Sequence, residues 1–155
     1  MADFIWRTRL LFVDTDASGR IHYSALFRHV EAAEMEFFRS IGRPFSQMPF
    51  SDLKYPRVRV EADYKAPLIC DDLMDIHVWV ERIGRASYTL GFSIRKEDIE
   101  VAAAKEVIAC MSAKTQGSHP MPDDLVAALT PFLRNKGEAA LAPLLKNQAP
   151  GGLAT

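Results

Sequence analysis

No apolar run in this 155-residue chain approaches the ~20 residues that a membrane-spanning helix needs. Charge of one sign is missing too. With 19 Lys and Arg against 20 Asp and Glu, the formal net charge is −1, so no overall field draws the chain to nucleic acid or to an acidic membrane. The basic residues Arg57, Arg59, Lys65, Arg82 and Arg85 are not interleaved with aromatics, which argues against an RNA-binding surface. Cysteine is scarce: Cys70 and Cys110 stand far apart with no ligand-like neighbours. With no secretory signal pattern at the N-terminus, they read as free thiols in a reducing cytoplasm. The four histidines (His22, His29, His77, His119) lack an H-x-x-x-H spacing, and there is no G-x-S-x-G elbow. Neither a histidine metal site nor a Ser–His–Asp hydrolase is encoded in a familiar form.

What the chain does have is an ordinary globular composition, 48% apolar and 25% charged, at the length of one domain. Its patterning is clear. Phe4 to Val13 reads as a first strand, with Phe4, Trp6, Thr8, Leu10 and Phe12 on one face and both faces apolar toward its end. Ser24 is read as an N-cap, followed by Leu26, Val30, Ala33, Phe37 and Ile41 at helical spacing. Gly42 and Pro44 then stop the helix. Further strands are expected at Arg57–Tyr64, Asp72–Ile83, Arg85–Lys96 and about Ile99–Thr115. Short turns make the last three an antiparallel meander. A short helix, Asp123 to Leu133, follows. One strand, one long helix and four strands make an α+β domain with the helix packed on one antiparallel sheet. The domain is drawn at residues 1–133 and a C-terminal tail at 134–155, with a helical turn or two at Ala139–Lys146.

The chemistry concentrates in Asp14-Thr15-Asp16-Ala17-Ser18-Gly19, just before the long helix. A helix N-terminus offers free N–H groups and the positive end of a dipole. A carboxylate beside it can act as base or nucleophile on a group whose developing negative charge those N–H groups hold. The loop also has EF-hand spacing, with Asp14, Asp16, Ser18 and Gly19 at positions one, three, five and six. Position twelve is Ala25, where a bidentate glutamate is needed, and no helix precedes the loop. Calcium is therefore disfavoured, and no metal or other cofactor is called for. Asp14 reads as a turn and capping residue, and Asp16 as the reactive carboxylate.

In this order and spacing, D-x-D-x-x-G before the helix with Tyr23 resembles the 4-hydroxybenzoyl-CoA thioesterase-like family of hot-dog-fold proteins. Further matching segments are Tyr64-Lys65-Ala66-Pro67 followed by Asp71-Asp72, and Arg85-Ala86-Ser87. The resemblance covers about Trp6 to Pro122. It implies a long central helix wrapped by a five-stranded antiparallel sheet, an acyl-CoA substrate, and a homo-oligomer (a dimer or dimer of dimers). Residue by residue, Asp16 matches the family's catalytic carboxylate and the Tyr23 N–H its carbonyl-polarising donor. Gly19 matches the turn glycine between them, and Arg85 matches a position that often touches coenzyme A phosphates. Glu31 lies on a helix where other hot-dog enzymes carry catalytic carboxylates, and His22 is close enough in sequence to touch substrate. The turn Glu97-Asp98 lacks the usual glycine. Two rival readings stay open: a hydratase or dehydratase on acyl thioesters, using His22, and a non-catalytic acyl-thioester binder.

Overall fold

A computed structural model describes residues 3–134. Strand β1 (Phe4–Arg9) leads through a 3-10 turn, Phe12–Asp14, into the acidic loop and helix α1 (Ala25–Ser40). After a 3-10 segment, Phe45–Phe50, come β2 (Leu53–Lys54), β3 (Arg57–Tyr64), β4 (Leu73–Ile83) and β5 (Ser87–Lys96). The chain continues through β6 (Ile99–Ala109), β7 (Met111–Ser112) and α2 (Asp123–Leu129) to a last 3-10 turn, Thr130–Phe132. Five strands form one antiparallel sheet in the order β1-β4-β5-β6-β3, and β2 and β7 pair as a separate ribbon. This is the expected α+β design.

One face of the sheet and one face of α1 make the core. Met74, Ile76, Val78 and Val80 of β4 alternate into it, as do Tyr88, Leu90, Phe92 and Ile94 of β5. Leu26, Val30, Ala33, Phe37 and Phe38 answer from the helix. Phe37 is the centre of the aromatic packing: its ring lies 5.5 Å from Phe38 and 4.9 Å from Phe132, both edge-on. On the opposite face, Trp79 lies over Gly91, where a Cβ would come within 2.4 Å of the indole. The Arg134 guanidinium covers that indole at 3.5 Å and pairs with Asp3, so the chain is still docked at the residue where the tail was drawn. The expected Ala139–Lys146 turns lie outside the described residues.

Four local expectations change. The first strand ends at Arg9, not Val13, because the chain turns at Phe12–Asp14. Leu11, Phe12 and Val13, the apolar end of the expected strand, are then 57%, 82% and 73% exposed. Ser24 adopts helical dihedrals and makes no side-chain cap; its hydroxyl is taken by His22. The last strand splits at Cys110, where β6 leaves β5 and β7 turns to β2. The C-terminal helix becomes 3-10 from Thr130 because Pro131 has no N–H for the α-helical ladder. The glycine-free turn is accommodated with Glu97 in the left-handed region, φ +46.

Candidate functional site

The acidic loop folds back on itself. The Asp16 N–H donates to the Arg20 carbonyl at 2.8 Å and the Gly19 N–H to the Asp16 carbonyl at 3.0 Å, with Thr15 bridged to Ile21. Gly19 takes φ +79 to close this turn, a conformation strained for a residue with a Cβ. The loop is then tied to the body of the domain, since the Ile21 N–H donates to the Leu68 carbonyl at 2.8 Å.

Asp16 is exposed, and one carboxylate oxygen, Oδ1, accepts both the Ser18 hydroxyl at 2.6 Å and the Ser18 N–H at 2.7 Å. These two donors hold its carboxyl below the usual aspartate value, the hydroxyl contributing most. Oδ2 has no partner among the described residues. Asp16 is thus ionised at neutral pH, with one oxygen held and one free to take a proton or attack.

Tyr23 sits two residues before α1. Among the described residues, nothing accepts a hydrogen bond from its N–H. Its carbonyl, by contrast, accepts the Tyr64 hydroxyl from the end of β3, which steadies the same stretch of backbone. The Tyr64 role is invisible in sequence because 41 positions separate the partners. His22 places Nδ1 2.8 Å from the Ser24 hydroxyl and 3.2 Å from the Ser24 N–H. A backbone N–H can only donate, so Nδ1 carries the lone pair and the neutral ring's proton sits on Nε2.

Asp14 does more than cap a turn. It is 3% exposed and accepts the Leu11 N–H at 3.0 Å, Arg28 at 2.6 Å and His29 Nε2 at 2.8 Å. Burial opposes its ionisation, but the Leu11 N–H, His29 and Arg28 outweigh it and hold the carboxyl below its usual value. Its carbonyl also receives the His22 N–H at 2.7 Å. Asp14 therefore fixes the loop that carries Asp16 to the first turn of α1.

The fold brings Asp16, Gly19, His22 and Tyr23 together. Arg85 is placed elsewhere in the same chain, exposed beyond the far end of β4. Leu73, at the near end, pairs with Arg9, and the 11-residue strand from Leu73 to Ile83 spans about 33 Å. Glu31 is exposed on α1 and borders an open cleft of about 400 Å³, whose walls include Phe27, Glu34, Arg57 and Glu106.

That cleft holds a charge cluster whose assembly, and whose member Glu106, sequence reading missed. Glu34 is 1% exposed and paired with Arg57, and Glu106 is 5% exposed. Burial and then the Glu34 charge push the Glu106 carboxyl up to about 7, against the pull of Arg57. Burial likewise raises Glu34. The signal was available only as two polar residues in otherwise apolar stripes. In the unfolded chain Glu106 ionises near 4.5, so between there and about pH 7 the folded state holds a proton the unfolded state has lost. Stability from this group is therefore full below about 4.5 and falls as pH rises through 7. Glu106→Gln is expected to melt higher than wild type at pH 8, with the gap closing toward pH 4.5. Thermal melts of both proteins at several pH values check this.

The thioesterase-like superfamily model matches residues 10–129, a span that includes the loop, α1 and the whole meander. The chain belongs to that superfamily. Its enzymatic class is accordingly thioester hydrolase, and the sheet-and-helix architecture is the hot-dog fold. A 1,4-dihydroxy-2-naphthoyl-CoA hydrolase of Synechococcus elongatus is 27% identical over 128 residues, 81% of this chain and 93% of that protein. A solved protein from Aquifex aeolicus is 34% identical and superimposes with a TM-score of 0.77, covering 81% of this chain and 98% of that one. A 1,4-dihydroxy-2-naphthoyl-CoA thioesterase from Synechocystis has a TM-score of 0.78 over 83% of this chain and 96% of that one. At 17% identity it speaks for the fold alone. Among the described residues no helix is long and apolar enough to cross a membrane.

Proposed function

We propose that this thioesterase hydrolyses an acyl- or aroyl-CoA ester to the free acid and coenzyme A, with Asp16 as base or nucleophile and the Tyr23 N–H polarising the thioester carbonyl. Two observations support this reading: an ionised carboxylate, half of it unengaged, and, further along the same loop just ahead of α1, an N–H with no acceptor among the described residues. As the carbonyl becomes tetrahedral, its oxygen gains charge and the waiting N–H bonds it more strongly than in the ground state. A preorganised donor of this kind is typically worth about 3–4 kcal/mol in the barrier. Gly19 allows the turn, and His22, its Nε2–H directed away from Ser24, is a substrate contact.

A second copy of the chain completes the site in this reading. Strand β3 is a sheet edge with Val58, Val60 and Tyr64 61%, 49% and 47% exposed. A two-fold antiparallel pairing centred on Val60 would set Arg57 against Asp63 and Arg59 against Glu61 of the second copy, opposite charges at each step. Such an assembly gives Arg85 a route to the coenzyme A phosphates of a neighbouring site that one chain does not provide. The free Cys70 and Cys110 suit a cytoplasmic enzyme.

The test is release of free coenzyme A thiol by the wild-type protein from benzoyl, phenylacetyl, short-chain and long-chain acyl-CoA esters. Turnover of at least one ester well above the spontaneous rate is expected. Tight binding of these esters without thiol release would favour a non-catalytic binder and overturn the hydrolase reading.

A further inference from the structure

The stretch from Tyr64 to Ile69 holds the loop ahead of α1 at three points. The Tyr64 hydroxyl donates to the Tyr23 carbonyl, the Leu68 carbonyl accepts the Ile21 N–H at 2.8 Å, and Ile69 bridges to Arg20. The stretch is itself fixed to the sheet, because the Lys65 and Ala66 N–H groups both donate to the Val101 carbonyl, at 2.9 and 3.1 Å. Alternation along β3 puts Tyr64 on the face of Val60, which borders the same cleft as Phe27 in the first turn of α1. Of the three contacts to the loop, only that of Tyr64 comes from a side chain.

Packing does little to hold Tyr23. The residue is 73% exposed, its ring meets only the His22 ring at 4.5 Å, and no side chain caps α1. Its backbone is held by hydrogen bonds instead. The peptide that carries the Tyr23 N–H has the His22 carbonyl at its other end, and that carbonyl accepts the Ala25 N–H at 2.9 Å. The next peptide carries the Tyr23 carbonyl, and only two soft dihedrals, φ and ψ of Tyr23, separate the two. With the first peptide held by Ala25 and the second by Tyr64, the direction of the Tyr23 N–H is set from both sides. Burial raises the Tyr64 hydroxyl above its ordinary value, so it stays a donor throughout the neutral range.

We propose that Tyr64 is a positioning residue for thioester hydrolysis: through the Tyr23 carbonyl, its hydroxyl holds the Tyr23 N–H in the direction that meets the thioester oxygen. The inference rests on the acyl-CoA thioesterase reading and adds a residue that touches neither the substrate nor the reacting atoms. A donor fixed in advance pays no reorganisation as charge develops on the oxygen, whereas a loosely held one must first be turned into place. Ground-state binding, in which the oxygen carries little extra charge, depends on that direction much less. The loss on removing the hydroxyl therefore belongs in kcat.

The experiment is Tyr64→Phe, which keeps the ring and removes only the hydroxyl, read in two ways. On the acyl-CoA ester that wild type turns over fastest, kcat is expected to fall by about 10-fold, the upper end of what one hydrogen bond supplies, with KM within about 2-fold. In protein carrying isotope-labelled tyrosine, the four tyrosines report their own amides by magnetic resonance. The Tyr23 amide should have an order parameter near the ~0.85 of rigid backbone in wild type and fall toward ~0.6 in the variant. Tyr55 and Tyr88 should stay unchanged and serve as the control for folding. A kcat within about 2-fold of wild type, a loss carried by KM instead, or a Tyr23 amide as ordered in the variant as in wild type overturns the assignment. If wild type releases no thiol, the hydrolase reading fails, and the Tyr23 amide still decides whether Tyr64 holds that N–H.

Discussion

Asp16→Asn is expected to lower kcat for thiol release by about 10²-fold or more, the range general-base assistance supplies, with KM changed little. Asparagine keeps an oxygen that can accept both Ser18 donors, the 2.6 Å hydroxyl and the 2.7 Å N–H. The loop geometry should therefore survive, together with the fold and oligomer size. What is lost is the negative charge and the ability to hold a proton. Because Ser18 keeps the Asp16 carboxyl below the ordinary aspartate value, the working form persists as pH falls. The acid limb of the wild-type kcat profile should accordingly lie below the ordinary aspartate range, and it should vanish in the residual activity of the variant. The kcat ratio of the two proteins at neutral pH, and a wild-type profile that stays flat as pH falls through the ordinary aspartate range, with circular dichroism as the control for folding, decide the matter. A variant within about 5-fold of wild type would remove Asp16 from the chemistry and move attention to His22 and Glu31.

The largest expected loss of stability comes from Arg57→Met. Glu34 is 1% exposed and is held by Arg57 from the sheet edge. Methionine preserves much of the aliphatic stem over Phe45 but strands the carboxylate beside Glu106. Breaking a buried pair from one side costs about 3–5 kcal/mol. The Arg57 side chain is 30% exposed, so the lower end, about 3 kcal/mol, is the appropriate expectation. For a domain of this size that is a fall in Tm of about 10 °C. Adding Glu34→Gln removes the stranded charge and should recover most of the loss, which a double-mutant cycle measures as coupling. Because β3 is also the proposed pairing edge, the melts belong at one fixed protein concentration. A shift below about 2 °C in the single variant would show that Arg57 only screens Glu34 through solvent.

Much of this protein is written in local periodicity. Met74 to Val80 and Tyr88 to Ile94 alternate in the sequence and alternate into the core, because one residue per pleat is all a strand can do. Leu26, Val30, Ala33 and Phe37 share a stripe at helical spacing and are all buried. The D-x-D-x-x-G loop before a helix start was equally legible, since the turn at Gly19 and the free N–H groups of a helix N-terminus are consequences of a dozen consecutive residues. By itself the sequence determined the α+β design, the long helix and the family. The tertiary structure decided what depends on residues distant in the chain. It turned Leu11, Phe12 and Val13 out of the first strand, and it gave Asp14 to Arg28 and His29. It anchored the Tyr23 carbonyl on Tyr64 and left Arg85 at the opposite end of the sheet. It also gathered Glu34, Arg57 and Glu106 from a helix and two strands into one buried cluster. No short window contains those three residues. Their charge states depend on burial and on one another, quantities that come into being only when the sheet closes against the helix.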